Sequence, residues 1–295
     1  MRNGGELQQP AASAGFAVAA TAAGTTAGRN FGEPMSFLRG PPMKNRFMLA
    51  PLTNCQSGVD GVLSDDEYHW LVKRAEGGFG LTMTCAAHVQ RVGQGFPGQL
   101  GCWSDDHLPG LERLAAGINQ HNSHSVVQLH HAGMRSPPVL IGEAPVCPSE
   151  DKQTGARALS TEEVKALVDD FVVGAQRAER AGFDGVELHG AHGYILCQFL
   201  SAETNRRTDQ YGGSCFNRER IVREIIAGIR QRCRPDFNLG IRLSPERFGL
   251  ELSEVRAFVQ SLMSVAEVDY IDMSLWDCFV SAPCITPSCF CYAWQ

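Results

Sequence analysis

From Arg46 onward, short apolar runs alternate with longer segments of helical periodicity, and this alternation limits the possible folds more than any other feature of the chain. The runs Arg46 to Ala50, Leu81 to Ala86, Ser125 to His130, Gly185 to Leu188, Leu239 to Leu243 and Tyr270 to Met273 predict six strands. Between them lie helical stripes: Leu111, Leu114, Ala115 and Ile118 behind Pro109; Val164, Leu167, Val168, Phe171, Val172 and Ala175 behind Ser160; Ile221, Val222, Ile225, Ile226 and Ile229; and Val255, Phe258, Val259 and Leu262. Ser64 with Glu67, and Ser160 with Glu163, have the spacing of capping boxes at helix starts, and Gly182 stops the helix that Ser160 opens. Strands separated by whole helices cannot pair as hairpins, so the pattern predicts a parallel sheet with crossover helices.

Polar and reactive residues fall at or just after several of these strands: Thr53, Gln128 and His130, His189, and Arg242. In a (β/α)8 barrel the C-terminal strand ends all open on one face, whereas a doubly wound sheet gathers such residues only at its switch point. Convergence from four strands predicts the barrel.

Composition excludes some functions. With 26 Lys plus Arg against 32 Asp plus Glu the formal charge is −6, which leaves no basic excess for a nucleic-acid backbone. No apolar run approaches the roughly 20 residues of a membrane helix. The 11 cysteines are spread through strands and helices rather than paired densely, a pattern of reduced thiols and a cytoplasmic setting. Residues 1–33 are rich in Ala, Gly and Thr without apolar periodicity. That composition suits a disordered tail better than an organelle transit peptide, which usually carries more Arg. The expected organisation is therefore a tail over 1–33, a barrel domain over 34–277 and a divergent tail over 278–295.

The densest concentration of chemistry is VELHGAHGYILCQFL, from Val186 to Leu200. A buried apolar strand ends in His189, with His192 and Tyr194 close behind, and Gly190 and Gly193 are expected to let the backbone aim them into one pocket. Two imidazole donors can hold a carbonyl oxygen as charge grows on it, and a phenol can supply a proton. Two other motifs are decoys. Gly93, Gly95 and Gly98 spell a dinucleotide fingerprint but enclose Pro97 with no helix following, and Cys278, Cys284, Cys289 and Cys291 lack the spacing of a metal-ligand set.

HGAHGY, followed by FLSAETNRRTDQYGGSCFNRER from Phe199 to Arg220, resembles the signature of the Old Yellow Enzyme family, in its bacterial-type NADH:flavin oxidoreductase and enoate reductase branch. The likeness extends through APLTN (Ala50 to Asn54), SDDEYHWLVKRAEGGFGL, WSDDH (Trp103 to His107), VVQLHHAGMR and GIRLSPERFG (Gly240 to Gly249), in family order over roughly residues 36 to 277. The resemblance implies a TIM barrel with FMN across its mouth. It places Thr53 at the flavin carbonyl, with Ala50, Pro51 and Leu52 giving backbone contacts. It puts Ala86 where bulk would strike the ring, Gln128 at the pyrimidine edge and Arg242 beside the N1–C2=O region. The implied reaction is ping-pong: hydride passes from NADH or NADPH to the flavin, then to the β-carbon of an α,β-unsaturated carbonyl compound. His189 and His192 hold that substrate's oxygen, and Tyr194 protonates its α-carbon.

The family barrel has eight strands and grips the FMN phosphate with loops after the last two, for which this sequence offers no candidates. The expectation is therefore an incomplete barrel of about six βα units, completed if at all by a second copy or a full-length relative. The alternatives are a catalytically silent chain with poor FMN binding, and a metal-dependent barrel hydrolase with His130, His189, His192 and Asp272 as ligands, which the lack of His-x-His on the first strand disfavours.

Overall fold

Each apolar run becomes a strand in the computed structural model of the chain, which describes residues 30–275. In chain order the elements are β1 (Met48–Leu49), α1 (Asp65–Glu76), β2 (Leu81–His88), α2 (Leu108–Asn119), β3 (His124–His130), α3 (Pro138–Ile141), β4 (Val146–Cys147), β5 (Arg157–Ala158), α4 (Thr161–Arg180), β6 (Gly185–Gly190), α5 (Ile195–Leu200), α6 (Cys215–Arg232), β7 (Asn238–Leu243), α7 (Leu252–Ser264) and β8 (Tyr270–Met273). The expected tail over 1–33 lies outside the described residues apart from its last four positions. The expected tail over 278–295, with Cys278, Cys284, Cys289 and Cys291, lies wholly outside them.

One parallel sheet takes the order β1-β2-β3-β6-β7-β8, and β4 pairs with β5 in a separate ribbon. Neighbours in the main sheet are successive strands joined by helices, as in the wall of a barrel. The sheet curls: Arg242 on β7 donates to the carbonyl of Pro51, just past β1, although three strands lie between. Among the described residues this is an incomplete TIM-type barrel with six strands in its wall.

The strand period of two sorts the side chains into an inner and an outer set. Val127, Leu129, Val186, Leu188, Leu239, Ile241 and Leu243 face outward and pack with the helix stripes, which are buried as their spacing predicts. Leu81, Met83, Val126 and Tyr270 face inward and form a second cluster with Met43, Met35 and Phe37. The segment carrying those last three is pinned by the Met35–Met43 antiparallel bridge and plugs the end where the strands begin. There Asp269, with no exposed side-chain surface, pairs with Arg39 at 3.0 Å and Arg230 at 2.9 Å. Function is left to the opposite end.

Helix starts follow the sequence with one correction. At α4 the Ser160 hydroxyl accepts from the Glu163 N–H at 3.2 Å and the Glu163 carboxylate accepts from the Ser160 N–H at 2.8 Å, a complete capping box. Replacing Ser160 with Ala is expected to cost about 1 kcal/mol, read as a lower denaturant midpoint at unchanged m-value. At α1, Ser64 does accept from the Glu67 N–H at 3.1 Å, but Glu67 does not return the bond. Its carboxylate is fully buried and instead takes the Ser57 hydroxyl and the Cys85 thiol. An acid that ties β2 to the loop after β1 is more useful there than a reciprocal cap. Among the described residues, seven cysteines are free thiols and no helix is long and apolar enough to cross a membrane.

Candidate active site

Two inward rows cross the sheet near its C-terminal end. The deeper row runs Ala86, Gln128, Glu187, Gly240 and Tyr270, each registered with the next on β2, β3, β6, β7 and β8. Gly240 lacks a side chain because the Tyr270 ring occupies the space a Cβ would take. One pleat higher, His88 registers with His130, and His189 with Arg242 and then Asp272. Adjacent strands lie about 4.8 Å apart, so His189 and Arg242 stand side by side at the same end of the barrel wall.

After β6 the chain turns into α5 through His192 (φ 60°) and Gly193 (φ 71°). A non-glycine residue in the left-handed region costs on the order of 1–3 kcal/mol, and here that strained turn directs the imidazole. Gly190 was expected to share the turn but sits inside β6, where its missing Cβ lets the Arg242 carbonyl of β7 approach. His192 Nδ1 lies 3.1 Å from His189 Nε2, and its Nε2 lies 2.7 Å from the Ser274 hydroxyl. The Tyr194 ring packs edge-on to His130 at 4.5 Å and lies 5.0 Å from the His189 ring. Across its other side the Arg135 guanidinium sits 4.8 Å from the ring centre while donating to the His192 carbonyl at 2.6 Å.

Burial, with His130, His192, Arg242 and Arg135 nearby, holds the His189 imidazole well below its usual pKa. Burial, then Arg242 and Arg135, brings His192 down to about 4. Both rings are therefore neutral near pH 7, and each carries one N–H. While they are bonded to each other, only one of them can offer a donor outward; holding one ligand oxygen with both requires the 3.1 Å contact to open. This corrects the picture of two donors already in place.

Arg242 meets Asp272 at 3.2 Å, donates to Ser274 at 3.0 Å and to the Pro51 carbonyl at 3.4 Å. Thus His189, His192, Tyr194, Arg242 and Pro51 come together, with Ala86 and Gln128 one pleat below. Ala50 lies half-buried where β1 ends, while Leu52 and Thr53 are exposed beyond it. The sequence reading did not single out Ser274 or Arg135 as site residues, and it named Asp272 only as a metal ligand in the hydrolase alternative. For Ser274 the signal was position: with Asp272, it follows the inward parity set by Tyr270 on the last predicted strand.

The mouth suits a planar polar ring. Asn54 Nδ2, His130 Nε2 and His189 Nδ1 are buried without hydrogen-bond partners, a condition that costs about 1–3 kcal/mol per group unless a ligand or water answers it. A ring edged with carbonyls and N–H groups, bearing charge beside Arg242, fits these residues as a flavin would. Among the described residues no three His, Cys, Asp or Glu side chains gather closely enough to hold a metal ion.

Residues 33–283 match the sequence profile of the NADH:flavin oxidoreductase / NADH oxidase family. A probable NADH-dependent flavin oxidoreductase of Bacillus subtilis is 39% identical over 256 residues, covering 83% of this chain and 68% of that protein. An NADPH dehydrogenase of Listeria monocytogenes is 37% identical over 259 residues, covering 85% of this chain and 75% of its own. Among solved structures, a 2-naphthoyl-CoA reductase complex superposes with TM-score 0.79 at 28% identity, over 83% of this chain but 40% of that one. Morphinone reductase in complex with tetrahydroNAD superposes with TM-score 0.74 at 29% identity, over 83% of this chain and 74% of that one.

Proposed function

The chain belongs to the NADH:flavin oxidoreductase / NADH oxidase family of FMN-dependent enzymes, and from that we propose that it passes hydride from NADH or NADPH, through FMN, to the C=C bond of α,β-unsaturated carbonyl compounds. The observation that carries the reading is the meeting of a neutral His189–His192 pair, a phenol and a guanidinium at one end of the sheet.

FMN, when bound, supplies a ring that accepts a hydride and gives it back. The protein's part is to bind, orient and move protons. Arg242 presents a fixed positive charge at the mouth, where negative charge on a reduced ring would need compensation. Gln128, one pleat below, offers an amide to a pyrimidine edge, and Ala86 on the neighbouring strand leaves room for a flat ring. A substrate oxygen entering between His189 and His192 would exchange their mutual contact for hydrogen bonds to itself. Those bonds strengthen as the oxygen becomes enolate-like, so they lower the barrier rather than merely tightening binding. Tyr194, whose ring contacts His130 and Arg135, would deliver the proton to the α-carbon.

On this reading the partners are a nicotinamide and a small enone or enal, and the free thiols suit the cytoplasm. Titrating the purified chain with FMN is the direct test. The flavin absorbance should shift and its fluorescence should change at one equivalent. A protein that stays colourless and leaves the FMN spectrum unaltered would instead select the silent alternative.

A further inference from the structure

Glu187 takes no part in the steps above, yet it is a carboxyl with no exposed surface in the middle of the sheet. Its Oε1 accepts from the Gln128 amide nitrogen at 2.8 Å, and its Oε2 has no hydrogen-bond partner. The groups facing it come from every neighbouring strand: Gln128 on β3, Arg242 on β7, Tyr270 and Asp272 on β8, with His189 above it on β6 and His130 beside that. The phenol of Tyr270 is near but not aligned to donate. Both imidazoles are held neutral, and the one cation, Arg242, is already paired with Asp272 at 3.2 Å. Two acids and one cation in a dry interior favour a proton on one acid. Burial, and then the charge of Asp272, push the Glu187 carboxyl up to about 8.

The amide beside such an acid has two faces. A carboxylate only accepts, so it turns the Gln128 NH2 toward itself and leaves the amide oxygen for the mouth; a protonated carboxyl can donate, which allows the amide to reverse. We infer that Glu187 is a positioning residue: its protonation state sets which end of the Gln128 amide meets the pyrimidine edge of a bound flavin, and, where it is ionised beforehand, it takes up a proton when that flavin is reduced. The inference rests on the flavin reading above. Reduction by NAD(P)H brings two electrons and one proton as hydride, releases NAD(P)+ and leaves added negative charge over the pyrimidine side. A further proton from solvent then forms an O–H bond on the Glu187 carboxylate, and the amide turns its N–H outward toward that charge. No other oxidant or reductant is required.

The two-electron midpoint potential of the FMN-loaded protein, followed from neutral to alkaline pH, tests this. Below about pH 8 Glu187 is protonated in both redox states and adds nothing. Above it the carboxyl is ionised in the oxidised state and protonated in the reduced one, adding one proton per electron pair. A tenfold change in a two-electron equilibrium is about 30 mV, so the slope should steepen by about 30 mV per pH unit on the alkaline side. Glu187→Gln should lose that steeper segment. A wild-type slope with no break, or a break that survives in Glu187→Gln, overturns the inference. Should that variant fail to fold, the unmodified holoprotein decides: above pH 8 its redox-difference infrared spectrum should gain a protonated-carboxyl C=O band on reduction, and absence of that band is equally fatal. If the protein retains no FMN, the flavin reading fails and this inference with it; FMN bound without the linked proton sinks the inference alone.

Discussion

Replacing His189 and His192 together with Ala is expected to leave FMN binding intact while weakening phenol ligands at least about a hundredfold, since phenolates mimic the enolate. Hydrogen bonds to a charged group are worth about 1.5–3 kcal/mol each, so losing two removes roughly 3 kcal/mol or more, and 1.4 kcal/mol is a factor of ten. The FMN constant should stay near the wild-type value, because Arg242, Gln128 and the backbone after β1 remain. The single variants will not divide the effect evenly. Because the two rings are bonded to each other, removing one frees the other to donate, and the pair should show coupling in a double-mutant cycle. Charge-transfer absorbance during phenol titration of the loaded protein reads the affinity, and fluorescence reads the flavin. Unchanged phenol binding in the double variant would remove both histidines from their assigned role.

The fold was readable because parallel strands buried on both faces leave continuous apolar runs, and helices between them leave stripes. What the runs could not show is extent. β2 continues to His88, two residues past its predicted end at Ala86, and His88 exchanges hydrogen bonds with the strand-like backbone around Gly101. The ribbon of β4 and β5 left no signal at all, since Val146–Cys147 and Arg157–Ala158 are too short to display a period. The site was readable at the level of which residues gather, and for the same reason: strand register carries His189 to Arg242 automatically. Its internal bonds were not. That His192 bonds to His189 depends on a left-handed turn at His192 itself, where spacing suggested glycines. That Gln128 faces Glu187 depends on a layer of the interior to which five strands contribute, and no local pattern announces such a layer.

That same interior should shape how stability depends on pH, and the two sides of the profile have different owners. Six histidines, His88, His124, His130, His131, His189 and His192, have pKa values depressed chiefly by burial. A depressed histidine binds fewer protons folded than unfolded, so stability is complete above the unfolded value near 6.5 and is lost as pH falls below it. Glu187 behaves in the opposite sense. Its folded pKa of about 8 stands above the unfolded value of 4.5, so its contribution is complete below 4.5 and is lost as pH rises toward 8. Asp272 is raised too, by burial. Between about pH 4.5 and 6.5 the histidines outnumber the acids and the slope is upward; above 6.5 their influence fades over about one further pH unit, and beyond it Glu187 pulls stability down, joined toward the alkaline end by buried cysteines whose pKa values burial also raises. The expected profile for the FMN-free protein is therefore a maximum near about pH 7, with a fall toward pH 8 on the order of 1 kcal/mol, since each unit of pKa shift is worth about 1.4 kcal/mol. In Glu187→Gln the acid limb should keep its shape, because the histidines are untouched, while the alkaline fall shrinks to what the buried cysteines supply. Urea midpoints measured from pH 5 to 8.5 distinguish these limbs. An alkaline fall of equal size in the variant would mean that Glu187 is not the group holding the proton.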